Sequence, residues 1–170
     1  MIQIGLTNPK SPSNIGAVMR AAGCYQADAV FYTGERAQRG MKYHTDTKNV
    51  ASQIPLQAVD CLLEQVPADA KLVCIELVEG ATPLPQFVHP DNAFYILGPE
   101  DGSLSQAVVD RADAVVYVPT VGCMNLAATV NVVLYDRLAK GQGKVEASDA
   151  LIRQSRDTNN SVSIAARSSD

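Results

Sequence analysis

The sequence predicts an α/β domain: a mainly parallel β-sheet with helices on both faces. Three observations carry that prediction. Runs such as Ala29–Tyr32, Leu72–Leu77 and Phe94–Leu97 are apolar at nearly every position, as strands covered on both faces must be. These runs alternate with segments whose apolar residues recur at helical spacing. The 170 residues, 46% apolar and 19% charged, suffice for one full-sized core.

The elements follow in order. Ile2–Leu6 is a strand. Asn14 is placed to cap a helix through Tyr25, with Ile15, Val18, Met19 and Ala22 on one face. Ala29–Tyr32 is the second strand. Residues 33–53 are polar and predict a long loop with one short helix. Val59–Val66 reads as helical. Leu72–Leu77 is a strand interrupted only by Glu76, and Pro83 and Pro85 punctuate the connection after it. Phe94–Leu97 is a strand stopped by Gly98-Pro99, Ser105–Ala112 a helix, and Ala114–Val118 a strand stopped by Pro119. A last helix runs from Asn125 to Ala139, with Gly141 placed to end it. The domain is expected to close near residue 143. The 144–170 tail is polar, with a short helix near Ser148–Gln154.

Bulk properties exclude several functions. No apolar stretch reaches the roughly 18 residues of a membrane span, and Met1-Ile2-Gln3-Ile4 does not begin a signal peptide. A cytoplasmic setting with reduced thiols is therefore expected. The cysteines at 24, 61, 74 and 123 form no C-x-x-C pair, and His44 and His89 are the only histidines, so no metal site is expected. The thiols should mostly be buried as small hydrophobes. Neither the Rossmann glycine fingerprint nor a P-loop is present. The net charge of −4 speaks against a generally basic nucleic-acid binder. Between residues 10 and 48, however, Lys10, Arg20, Arg36, Arg39, Lys42 and Lys48 outnumber Asp28, Glu35 and Asp46 by two to one. In this region Tyr25, Tyr32 and especially Tyr43 and His44 are candidates to stack on bases, or else are ordinary aromatics.

Ligands of open parallel sheets bind beyond the carboxyl ends of strands. Three segments begin at such ends. Asn8-Pro9 leads to Asn14-Ile15-Gly16-Ala17-Val18-Met19-Arg20; Arg20 lies six residues beyond Asn14, about 120° around a helix. Leu97-Gly98-Pro99-Glu100-Asp101-Gly102 presents a carboxylate between glycines that let a chain wrap closely around a ligand. Val118-Pro119 is followed by Cys123-Met124-Asn125-Leu126 at the head of an apolar helix. Singly, these are a capped helix with a surface arginine, a turn, and another capped helix.

Together, in this order, the three segments resemble the motifs of the SpoU/TrmH branch of the SPOUT RNA methyltransferases, from Met1 to Lys140, and most of all its small single-domain members that act on tRNA. The resemblance implies a C-terminal trefoil knot over about 72–139, a homodimer, and transfer of a methyl group from S-adenosylmethionine to a ribose 2′-hydroxyl of tRNA or rRNA, tRNA being favoured. It implies cofactor contacts at Leu77, Gly98, Glu100, Gly102, Val118, Cys123 and Met124. It also implies catalytic roles for Arg20 and Asn14 at the RNA phosphate, with Glu100 and Asn125 fixing Arg20 and the cofactor loops. The apolar face of the last helix is a candidate dimer interface, or else simply core. One departure stands out: Cys123 occupies the family's serine position, and the loop before it is short. That departure keeps open a catalytically silent RNA-binding protein on the same fold. A base methyltransferase on the knot and a generic flavodoxin-like cofactor binder are the remaining alternatives.

Overall fold

The computed structural model describes residues 1–36, 54–156, 162 and 164. Its strands are β1 (Ile2–Leu6), β2 (Ala29–Tyr32), β3 (Leu56–Ala58), β4 (Lys71–Ile75), β5 (Thr82–Pro83), β6 (Ala93–Leu97) and β7 (Ala114–Tyr117). The helices are α1 (Pro12–Cys24), α2 (Gln106–Val109), α3 (Leu126–Arg137) and α4 (Asp149–Ser155). Among the described residues the strands form one sheet in the order β3-β2-β1-β6-β4-β7-β5, and every pairing is parallel. The predicted α/β class therefore holds.

Side-chain alternation sends each strand into two cores. Ile2, Ile4, Leu6, Val73, Ile75, Tyr95 and Leu97 pack with Ile15, Val18 and Met19 of α1 and Val130, Val133 and Leu134 of α3. On the other face Phe31, Leu72, Cys74, Phe94 and Ile96 pack with Leu62 and Leu104. Gly5 makes room for this second layer: a Cβ there would come within 2.8 Å of the Phe94 ring. The apolar face of α3 is thus core, used within the chain, because it closes on α1 and the sheet. What α3 leaves exposed is Ala128, Asn131 and Tyr135.

Several local expectations change. Val59–Val66 is not a helix; only Leu63–Gln65 makes a helical turn, before Pro67, while Leu62 plugs the second core. The short strands β3 and β5 carry too few residues for a periodic signal. Asn14 does not cap α1: Pro12 starts the helix one turn earlier, behind Ser11. Asn125 does cap α3, its Oδ1 accepting from Ala127 and Ala128 N–H at 2.9 and 3.2 Å. Gly141 takes a left-handed φ of 77° beyond α3, as a stop residue should. Of the cysteines, only Cys74 is buried; Cys61 is half-buried, and Cys24 and Cys123 are exposed. Burial, with the charge of Glu76, pushes the Cys74 thiol up to about 11, so it stays protonated. Tyr32 is buried in β2 and cannot stack on a base. Arg39, Lys42, Tyr43, His44, Lys48 and the short helix expected there lie outside the described residues. So does most of the tail beyond α4, whose Ser148 cap accepts from Leu151 N–H.

The end of α3 is anchored by a buried polar network. Arg137, 3% exposed, donates to Pro90 O at 2.6 Å, Asp91 O at 2.8 Å and Tyr95 Oη at 3.0 Å. Tyr95 lies 2.6 Å from His89 Nδ1, and His89 Nε2 lies 2.9 Å from Asp136. Lys140 donates to Asp136 at 2.6 Å. One proton arrangement satisfies the line: Arg137 donates to Tyr95, Tyr95 donates to Nδ1, and Nε2–H donates to Asp136. His89 is then neutral. Burial holds its pKa below the ordinary 6.5; the hydrogen bond and charge of Asp136 oppose this, and Arg137 and Lys140 reinforce it. The unfolded chain therefore takes up a proton on His89 first as pH falls. Stability is full above 6.5 and declines as the pH drops through the folded value. Melting temperatures recorded from pH 7.5 down to pH 5 should fall in the native protein, and His89→Gln should flatten that slope.

Candidate functional site

β1 is flanked by β2 and β6, and β4 by β6 and β7, so the order of strands along the chain reverses at both. At such a point the loops leaving adjacent strands splay apart and leave a crevice. Here the crevice lies beyond the carboxyl ends of β4, β6 and β7. It encloses about 140 Å³ between Ile75, Glu76 and Leu77 after β4, Leu97–Glu100 and Gly102 after β6, and Tyr117, Val118, Thr120, Cys123 and Met124 after β7, with Leu126 and Thr129 of α3.

All seven positions expected to touch a cofactor, Leu77, Gly98, Glu100, Gly102, Val118, Cys123 and Met124, line this one crevice. A side chain at Gly98 would be crowded: its Cβ would stand 3.1 Å from Glu76 Oε2 and 3.3 Å from Leu104 N. Glu76, which interrupts an otherwise apolar run, was missed as a site residue. Its Oε2 accepts from Leu104 N–H at 2.8 Å and its Oε1 from Leu77 N–H at 3.0 Å, so it shapes two walls of the crevice. A lone carboxylate ending a buried strand was the available signal.

The three sequence segments are joined by one line of hydrogen bonds. Glu100 accepts from the backbone N–H of Lys10 at 2.7 Å and Ser11 at 3.4 Å, and from Asn14 Nδ2 at 2.7 Å. Asn14 Oδ1 accepts from Asn125 Nδ2 at 3.0 Å. Desolvation raises the pKa of Glu100, but the bonds from Asn14, Lys10 and Ser11 outweigh it and hold the carboxyl below its usual range. A carboxylate at the start of α1 is also favoured by the free N–H groups there. Asn14, displaced from the cap position, thus becomes a spacer between Glu100 and Asn125.

Arg20 does not join this line. It is exposed on α1 and, among the described residues, makes no hydrogen bond or ion pair to Glu100 or Asn125. Within this chain Glu100 and Asn125 both contact Asn14, and neither contacts Arg20. Arg20 shares the open face of α1 with Ser13, Gly16, Ala17 and Cys24. No helix of the described residues is long and apolar enough to cross a membrane, and no group of three metal-binding side chains occurs among them.

Comparisons with known proteins agree with this geometry. The SpoU rRNA Methylase family matches residues 1–135. No curated protein sequence matches the chain. Among solved structures, the SpoU methyltransferase AviRb from Streptomyces viridochromogenes, in complex with AdoMet, superposes with a TM-score of 0.69 at 19% identity, over 83% of this chain and 58% of that one. A structure described as giving insights into the 2-OH methylation of C/U34 on tRNA has a TM-score of 0.69 at 21% identity, over 82% and 95% of the two chains. The TrmH/SpoU tRNA modifying enzyme of A. aeolicus has a TM-score of 0.68 at 17% identity, over 90% and 84%. The chain thus spans less than two-thirds of AviRb but most of the other two.

Proposed function

The chain belongs to the SpoU rRNA Methylase family, and on that premise we propose that it transfers a methyl group from S-adenosylmethionine to a ribose 2′-hydroxyl of tRNA or rRNA, tRNA being favoured. The observation that carries this reading is the line Glu100–Asn14–Asn125, which ties all three loops around one crevice. The crevice fits the cofactor on its own terms: Gly98 and Gly102 line it, and Leu77, Val118 and Met124 offer apolar walls to a purine. Bound there, the sulfonium supplies an electrophilic methyl group. AviRb was solved with AdoMet, and the tRNA relative concerns 2-OH methylation of C/U34, which supports both halves of the proposal.

This chain's own residues then have three tasks. The loops of Gly98–Gly102 and Cys123–Met124 orient the donor against the attacking oxygen. Arg20 binds the RNA 3′-phosphate through its planar fork and stabilises charge developing on the ribose oxygen. Glu100, Asn14 and Asn125 keep α1, and with it Arg20, in register with the crevice.

A second copy belongs to this reading. Its support is the set of small and polar residues that α1 and α3 leave exposed: Gly16, Ala17, Ala128 and Asn131, with exposed Tyr135. Across it Arg20 would serve a site shared by two chains. The threading of residues 72–139 is proposed with it, supported by the return of α3 and Lys140 onto the carbonyls of Leu84, Phe87, Pro90 and Asp91. The setting proposed is cytoplasmic, where the exposed thiols of Cys24 and Cys123 stay reduced.

The test is transfer of labelled methyl to total RNA from cells lacking this protein, followed by digestion to nucleosides and mass analysis. A 2′-O-methylnucleoside is the expected product. Absence of both transfer and cofactor binding would overturn the proposal in favour of a silent RNA-binding protein, the reading that Cys123 favours. Glu100→Ala should cost about 10–100-fold in transfer, since it frees α1 from the crevice loops. Its melting temperature should change little, because Glu100 is exposed.

A further inference from the structure

Two cations at the mouth of the crevice have no role in the mechanism above. Lys10 follows β1 and Arg36 follows β2, and both face one carboxylate. Arg36 donates through both terminal nitrogens to Asp101, at 2.9 and 2.8 Å, and Lys10 Nζ stands 3.8 Å from Asp101 Oδ2. The side chains are 32% exposed at Arg36, 49% at Asp101 and 64% at Lys10. Asp101 sits in the turn whose other members, Gly98, Pro99, Glu100 and Gly102, wall the crevice, yet it is not part of that wall. Its carboxylate is engaged with the surface cations, not with the cofactor pocket.

A carboxylate and a phosphate offer a guanidinium the same pair of oxygens. An exposed pair of this kind is weak and screened by salt, so its anion is exchangeable. Glu100 next door is different, because backbone N–H groups and Asn14 hold it. Two cations share one exchangeable anion there, while the neighbouring carboxylate of Glu100 is committed to Asn14 and the backbone. We propose that Arg36 and Lys10 form a docking site for a backbone phosphate of the RNA, and that Asp101 occupies the Arg36 fork until that phosphate replaces it. The inference rests on the RNA reading above. It adds a sequence-independent contact outside the reacting nucleotide.

The test measures binding of a short fluorescent RNA stem–loop by anisotropy, from about 50 to 200 mM salt, alongside calorimetric binding of S-adenosylmethionine. Arg36→Ala should weaken RNA binding and lower the slope of log K against log salt by about one. Asp101→Asn should strengthen RNA binding several-fold. Both variants should bind the cofactor as the native protein does. Lys71→Ala, which breaks an exposed pair with Asp113 at the amino end of β4, should leave the slope unchanged. If the RNA slope is unmoved in Arg36→Ala, or if both variants lose cofactor affinity, Asp101–Arg36 is a structural clip and the docking site is overturned. If the native protein binds no RNA even at the lowest salt, the RNA reading falls with it. Native RNA binding with indifferent variants overturns the docking site alone.

Discussion

Arg20→Ala should abolish methyl transfer while cofactor binding stays intact. The loss should be at least about 10²–10³-fold in kcat, the cost of removing one donor that stabilises charge in the transition state. The effect is confined to chemistry because Arg20 is outside the crevice wall and, among the described residues, supports no neighbour. Arg20→Lys should remain well below the native rate, since an ammonium keeps the charge and loses the fork. Single-turnover transfer and calorimetric cofactor binding, run on the same preparations, separate the two steps. Near-native transfer in Arg20→Ala would remove this residue from the mechanism.

Arg137→Ala produces the largest loss of stability. It deletes hydrogen bonds to the carbonyls of Pro90 and Asp91 and to the Tyr95 hydroxyl, which keeps His89, and it empties the buried space that the Arg137 side chain fills. The cost should be about 3–5 kcal/mol. At about 2–4 °C per kcal/mol for a chain of this size, the melting temperature should fall by roughly 6–20 °C. Tyr95→Phe should cost less, because His89 keeps Asp136 and Arg137 keeps its two carbonyls. Arg137 is at the far end of α3 from Asn125, so transfer by the folded fraction at low temperature should be preserved. A melting point within about 2 °C of native, less than 1 kcal/mol on the same scale, would show that the network contributes little.

Much of this was legible in order along the chain. Strands β2, β4, β6 and β7 announce themselves as apolar runs, since a strand covered on both faces has no use for alternation. Helices α1 and α3 are long enough for their periodicity to register, and Gly141 marks the end of the second. That three loops converge at strand ends was legible, but the crevice residues within them came from the family resemblance, and Cys123 and Met124 lie six and seven residues beyond the end of β7. Strands β3 and β5 were not, being three and two residues long. The 59–66 segment misled because Val59, Leu62, Leu63 and Val66 have helical spacing, while in the fold Leu62 enters the second core and Pro67 cuts the turn short.

What the sequence by itself determined is local: where strands stop, which loops carry glycine, carboxylate and amide, and that Arg20 and Asn14 share a helix without sharing a face. What only the tertiary structure decided is pairing. Asn14 and Asn125 are 111 residues apart, Lys10 and Glu100 are 90 apart, and Arg36 and Asp101 are 65 apart. A hydrogen bond depends on distance and angle in space, and those are set by the parallel order β2-β1-β6-β4, which no local propensity encodes. The same order turned the expected cap Asn14 into the bridge of the site, and turned the apolar face of α3 inward to the core.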